Sequence, residues 1–466
     1  MKVLLIQSSL GTETENSFHV FPLGLSYLAT AIINQHHEVK IVDVNFMDNL
    51  LQGIQANLQE YKPDIVGISF RNCDNQQKIK FIYYYQYFQE IVQHIKSEMP
   101  EIKIIAGGTG FSMYPEIIMH HNSLIDYGVV LEAEDIIVDL LENLDNPSQV
   151  KGIYYRKTNK IIFTGNALLP DFPSLPFPRR DLIDGAPYKA LTYSHGIQTK
   201  RGCNLRCSYC NYPYLNGSKL RLRSASHICD EIESLIKDSK VNTFTFVDSV
   251  LNVPKGHAED IMMEIIQRNL NIEWTAYMHI KGITEEFVDL ALKSGCRHML
   301  FSPDGISKEA IKGLQKNITF DEVTDIIKLF TRVKRFRQMG IAFSFFINPP
   351  GETFGGLVKT VWFYFYLNIY LYFKSRGKIQ GWINWIRLEP HTKVYDDAIK
   401  EGTITNEIEL LPKTFNKKQI KKFYYKHPKL NFWDGVLFPV IKIFEETKSF
   451  LLTVLKWVLS RIFHLG

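Results

Sequence analysis

Short apolar runs alternate with segments of helical spacing along most of this 466-residue chain, and the rhythm breaks once, where Asp171 to Pro178 holds three prolines in eight residues. Such alternation points to parallel strands joined by crossover helices. Before the break, Val3–Ile6, Val39–Val42, Asp64–Ser69, Ile102–Ala106 and Asp126–Val130 read as strands. Leu25, Leu28, Ala29 and Ile32 keep the spacing of a helix face. Further helices are expected near 48–61, 77–98 and 133–144. Residues 1–145 are thus expected to form a doubly wound parallel sheet in an α/β fold.

Residues 146–190 are expected to be a linker, because so proline-rich a segment is extended rather than helical. From 191 the alternation resumes, with strand candidates at Gly196–Thr199, Thr243–Val247, Glu273–Tyr277, His298–Phe301, Ile341–Ile347 and Trp382–Leu388. Six βα units over 191–400 predict a partial (β/α)6 barrel of the TIM type, with its active site at the carboxyl ends of the strands. Residues 401–466 form a C-terminal extension. In its last stretch, 449–466, Leu451, Leu452, Leu455, Val458, Leu459 and Ile462 recur at helical spacing, with Lys456 and Arg461 elsewhere. This amphipathic helix suits peripheral contact with the inner face of a membrane or docking on protein.

The chain carries 54 Lys and Arg against 49 Asp and Glu, a net charge of +5 that is close to neutral at this length. It lacks the Lys/Arg clusters of a nucleic-acid binder, so no nucleic-acid partner is expected. The first apolar run is too short for a signal peptide, and no stretch of about 20 residues is apolar enough to span a bilayer. A cytoplasmic location follows as the expectation. Six cysteines in that reducing compartment are metal ligands or buried thiols rather than disulfides.

Cys203, Cys207 and Cys210 follow the first strand of the second domain with the spacing CxxxCxxC. Three thiolates on one loop can hold three irons of a 4Fe–4S cube and leave the fourth open to a ligand. The next cysteine, Cys229, lies 19 residues on without partner spacing, which disfavours a four-cysteine zinc site. Cys73, Cys229 and Cys296 are scattered and read as buried thiols.

The CxxxCxxC spacing, with Tyr209 before the last cysteine, resembles the radical S-adenosylmethionine (SAM) superfamily. The resemblance implies that the open iron binds SAM and that the cluster cleaves it to a 5′-deoxyadenosyl radical, with electrons from a donor such as ferredoxin or flavodoxin. Further positions match the superfamily's SAM-contacting strand ends: Asp248 and Asn252 after the second strand, Asp304 after the fourth, and Glu352 in Pro349-Pro-Gly-Glu-Thr353 after the fifth. Asp304 stands where many relatives carry Glu. His391, after the sixth strand, is a weaker match.

The first domain has Ser69, Arg71 and Asn72 after its third strand and Gly107–Gly108 after its fourth, without the GxGxxG of a dinucleotide fold. These loops, with Phe21-Pro-Leu-Gly-Leu25 and Asp43, resemble the Rossmann-like cobalamin-binding domains fused to radical SAM enzymes. Paired glycines would let the backbone approach a bulky ligand. The usual DxHxxG axial-histidine motif is missing, since Ser17-Phe-His19-Val-Phe-Pro22 lacks both the Asp and the Gly. His19 is therefore a poor axial ligand. Arg71 is the candidate for the lower face of the corrin, as a cation that does not ligate cobalt.

The combined resemblance implies a cobalamin-dependent radical methyltransferase acting on an unactivated carbon of a small-molecule or lipid-like substrate. A relative performing oxidative cyclisation or rearrangement without methyl transfer is the second enzyme reading. A cobalamin-binding module without catalysis is the reading from another class, and the intact cysteine triad weighs against it.

Overall fold

The computed structural model describes residues 1–8, 19–158, 160–189 and 191–463, with the side chains of 449 and 451–463 outside the description. Strands β1 (Lys2–Gln7), β2 (Glu38–Val42), β3 (Ile65–Ser69), β4 (Lys103–Gly107) and β5 (Tyr127–Val129) pair in parallel in the order β2-β1-β3-β4-β5. Helices cover both faces, so both faces are apolar. Leu4, Ile6, Val66, Ile68 and Ile104 pack on one side, and their alternates Val3, Leu5, Ile65 and Ile105 on the other. The strand order reverses between β1 and β3, and in such sheets ligands sit beyond the carboxyl ends at that switch.

The sheet reaches into the segment expected to be linker. Here β6 (Ile153–Lys157) and β7 (Lys160–Phe163) form an antiparallel hairpin on β5. Only Ile153 and Tyr155 of these strands are buried, while β7 stays half-exposed. So thin an edge leaves a faint apolar pattern in the sequence. The prolines behave as expected, interrupted by one helical turn at Phe172–Ser174.

Strand β8 (His195–Ile197) begins the second sheet. A small antiparallel pair, β9 (Lys200–Arg201) and β10 (Arg221–Leu222), follows it. Then β11 (Thr243–Phe246), β12 (Glu273–Met278), β13 (Cys296–Asp304), β14 (Gly340–Phe346) and β15 (Ile379–Asn384) join β8 in chain order, all parallel. In the sheet order β8 and β15 are the two edges, so the barrel is partial. The sixth strand is displaced from its expected span, because Arg387 forms a bridge with Tyr424 instead of continuing the sheet. Phe244, Phe246, Trp274, Met299, Phe301, Ile341 and Phe343 pack outward under helices. Alternation turns Val247, Tyr277, Ser302, Ser344 and Trp382 to the lumen, where Val247, Tyr277 and Trp382 stay exposed. The chain closes with a helix at Asn431–Phe463, and no helix among the described residues is long and apolar enough to cross a membrane.

Candidate active site

The cysteine loop is closed by the β9–β10 hairpin. Gly202 enters it at φ +93°, and a Cβ there would lie 2.1 Å from the Lys219 carbonyl, so only glycine fits. The next amide, of Cys203, donates to the Gly217 carbonyl at 3.0 Å. Ser208, between the other two cysteines, fixes the loop to the barrel. Its amide donates to Leu314 O (3.0 Å), its hydroxyl donates to Gly313 O (2.9 Å), and its carbonyl accepts from the Val394 amide (3.0 Å). Cys203 is buried, Cys207 and Cys210 are half-buried, and all three are free thiols.

Burial pushes the Cys207 thiol up and the Cys210 thiol up to about 12, and the charges of neighbouring cysteines push the same way. Such thiols need a cation to ionise. Among the described residues no set of three or more His, Cys, Asp or Glu closes around a point as a single metal ion requires. Three free thiols on one loop, near enough to raise one another, fit separate corners of an iron–sulfur cube.

The residues expected at SAM are engaged within the barrel, two of them against the cysteine segment. Asp248 is buried. Its Oδ1 accepts from the Thr199 and Lys200 amides (2.9 and 3.2 Å), its Oδ2 from the Thr199 hydroxyl (2.6 Å), and Lys200 Nζ lies 3.7 Å from Oδ2. Asn252 donates to the carbonyls of His279 and Lys281 and accepts from the His279 amide at 2.7 Å. Asp304, at φ +61°, accepts from Tyr209 Oη (2.5 Å) and the Ser344 hydroxyl (3.1 Å), and is ion-paired with Lys316. Glu352 Oε1 accepts from the Ser307 hydroxyl at 2.6 Å and the Thr353 amide at 2.9 Å, while Oε2 is buried without a partner. Burial raises its pKa. His391 stacks on Tyr214 at 3.6 Å between centroids.

The cysteine hairpin is also clamped to the first domain. Arg201 pairs with Glu132 (2.8 Å) and Glu134 (2.6 Å), just beyond β5, and Arg221 pairs with Glu132 as well. A cleft opens between the domains, lined by Arg71, Asn72, Gln76, Asn211, Arg387 and Glu389 among others. Ser69 and Gly107 face each other across the register of β3 and β4. Gly108 sits at φ +96°, and a Cβ there would meet the Phe70 carbonyl at 2.7 Å. The backbone of the neighbouring loop therefore demands glycine at 108. A Cβ at Gly107 would meet its nearest atom at an ordinary 3.5 Å. Arg71 is exposed into the cleft, and its guanidinium has no hydrogen-bond or ion-pair partner among the described residues. A free cation and the Asn72 amide facing open space at the switch point fit a polar-rimmed cofactor such as a corrin.

Sequence reasoning missed the far wall of this cleft. Arg387 pairs with Asp74 at 2.9 Å across the domains. Glu389 accepts from Gln76 Nε2 and Asn211 Nδ2, each at 2.6 Å, and burial raises its pKa to about 7. Its only sequence signal was adjacency to Pro390-His-Thr392. Lys316 had none, since no motif surrounds it. His19 packs against Phe46 at 4.9 Å.

Residues 14–141 match the B12 binding domain family, and residues 197–361 match the Radical SAM superfamily. The chain is 27% identical over 338 residues to an uncharacterised methyltransferase of Pyrococcus horikoshii, covering 71% of this chain and 70% of that protein. It is 23% identical over 419 residues to the tryptophan 2-C-methyltransferase of Streptomyces laurentii, covering 75% of this chain and 69% of that protein. Its fold matches the radical SAM methyltransferase TsrM from Kitasatospora setae, solved with cobalamin and a [4Fe-4S] cluster, with a TM-score of 0.73 at 22% identity over 86% of this chain and 78% of that one. The chain belongs to the radical SAM enzymes that carry an N-terminal B12-binding domain and use a 4Fe–4S cluster, SAM and cobalamin.

Proposed function

We propose that this enzyme is a cobalamin-dependent methyltransferase acting on an unactivated carbon of a small-molecule or lipid-like substrate. One observation carries the reading. Asn211, next to Cys210, and Gln76, beyond β3, donate to the same Glu389 carboxyl at 2.6 Å. The two cofactor-facing loops thus share one cleft, as needed if a carbon activated from one side is to take a methyl group from the other. When bound, the cluster supplies the electron that cleaves SAM to a 5′-deoxyadenosyl radical, and the corrin carries the methyl group.

Cys203, Cys207 and Cys210 hold the cluster. Tyr209, Asp248, Asn252, Asp304 and Glu352 shape the strand ends where SAM binds. Ser69, Asn72, Gly107 and Gly108 form the cobalamin pocket. Arg71 would meet a bound corrin as a cation that offers no lone pair to its metal. Val247, Tyr277 and Trp382 give the lumen apolar and aromatic walls suited to a hydrophobic substrate. The protein works in the cytoplasm with ferredoxin or flavodoxin as its electron donor, and residues 449–466 add peripheral membrane contact.

Anaerobic turnover with candidate substrates and methyl-labelled SAM tests the reaction. Methyl transfer predicts S-adenosylhomocysteine and 5′-deoxyadenosine in equal amounts, with label in the product. Substrate-dependent 5′-deoxyadenosine without S-adenosylhomocysteine would instead establish cyclisation or rearrangement.

A further inference from the structure

The helix Asn431–Phe463 is apolar on both faces over its described part, with Leu437, Phe438, Ile441 and Phe444 packed on the core. Two of its acids turn inward: Asp434 pairs with Lys78 at 2.8 Å and accepts from the Trp385 indole, and Glu445 accepts from the Tyr364 hydroxyl. Lys448 also turns inward, donating to the fully buried Asn368 at 2.6 Å. Its outward positions are mostly apolar, the exposed pair Lys442 and Glu446 being the charged exception. Phe432 is 73% exposed and Phe450 71%, with Val436, Val440 and Ile443 between them at helical spacing. A helix on the surface of a soluble protein normally keeps its outer face polar.

A second stripe lies beside it. On the helix Phe354–Phe365 and its continuation, Phe354, Val358, Trp362 (62% exposed), Ile369 and Tyr370 face out. Trp362, Tyr366 and Tyr370 stack in a ladder with centroids 5.2 Å apart. The helices run side by side in the same direction, because Phe354 meets Trp433, Phe365 meets Phe444, and Asn368 meets Lys448 in that order. On the first helix, outer positions follow contact positions by one residue, as Tyr366 follows Phe365. On the second they precede them, as Ile443 precedes Phe444. In parallel helices these opposite offsets turn both stripes to the same side, giving one continuous face.

Charge singles out the occupant. Residues 354–374 contain no acid and two lysines, Lys359 and Lys374. Lys374 sits over the Tyr370 ring at 5.6 Å. Arg376, Lys429 and Lys442 are exposed around the two helices, and Glu446 is the one exposed acid on the described part of the second. Aromatic and aliphatic side chains within a basic rim match the headgroup zone of an anionic bilayer. We infer that the paired faces of 354–370 and 432–450 form a docking surface for an anionic membrane. This surface does not depend on residues 451–466 and stands whichever reaction the barrel performs.

Flotation of the full-length holoenzyme with vesicles tests it. Binding is expected on mixed phosphatidylcholine–phosphatidylglycerol vesicles, weaker binding on phosphatidylcholine alone, and release by salt. Trp362→Glu with Val440→Glu should weaken binding about tenfold or more, with the cluster absorbance and unfolding midpoint unchanged. Milder Trp362→Ser and Val440→Ser variants, if the first pair fails to fold, should show the same ordering. Absence of binding to anionic vesicles, or binding equal in folded variants, would overturn the proposal. A concentration-dependent dimer that the variants dissolve, with no vesicle binding, would overturn it in favour of a second copy of this chain.

Discussion

The strand ends of the barrel and of the N-terminal sheet use polar residues in opposite ways. On the barrel side, the Asp248 carboxylate accepts from both amides and the hydroxyl of the Thr199–Lys200 turn, and Asp304 is held by Tyr209, Ser344 and Lys316. On the sheet side, Arg71 has no partner among the described residues. A buried carboxylate left unpaired is costly, so Asp248 and Asp304 are satisfied from within and hold the chain on either side of the cysteines. A guanidinium at the mouth of a cleft, with no protein acceptor, can wait for a ligand. The difference separates residues that build the site from residues that greet a cofactor.

Substitutions in the cysteine triad and at Asp248, Arg71 and Glu389 break or sharpen that contrast. Replacing Cys203, Cys207 or Cys210 by alanine should bring 5′-deoxyadenosine formation to background with loss of the cluster's visible absorbance. Asp248→Ala should destabilise the fold by about 3 kcal/mol, since it strands buried donors and the Lys200 ammonium. Denaturant unfolding reads this. A stable Asp248→Ala protein with selectively weakened SAM binding would move Asp248 to the ligand-facing class. Arg71→Ala should do the opposite, leaving apo-protein stability within about 0.5 kcal/mol while weakening cobalamin binding about tenfold in a spectral titration.

Glu389, in the cleft between the domains, gives the smallest and most specific effect. Its pKa of about 7 is raised by burial above the unfolded carboxyl value. The folded state therefore binds its proton more tightly. The penalty is absent at pH below the unfolded value, grows as pH rises, and is complete above about 7. Glu389→Gln should raise the melting temperature more at pH 8 than at pH 5.5, and an equal shift at both would show that the carboxyl does not titrate there.

The fold was legible where burial wrote a long pattern. All five parallel strands of the first sheet and all six of the barrel were visible as apolar runs, because both of their faces are covered. The β6–β7 hairpin was hidden, because an edge with one half-buried face leaves little periodicity. The cysteines were legible because their chemistry needs close spacing on one loop. Arg387 and Glu389 were not, because their meaning arises from Asp74, Gln76 and Asn211, far away in sequence. The sequence also placed Asp248 and Asn252 at the right strand ends without showing that their hydrogen bonds were taken.

The most direct test of the account is the fate of SAM. Protein reconstituted with its cluster and cobalamin, then reduced anaerobically, should release 5′-deoxyadenosine on addition of SAM and substrate extract, and the Cys203→Ala protein should release none. Wild-type protein holding both cofactors, yet forming no 5′-deoxyadenosine under these conditions, would contradict it.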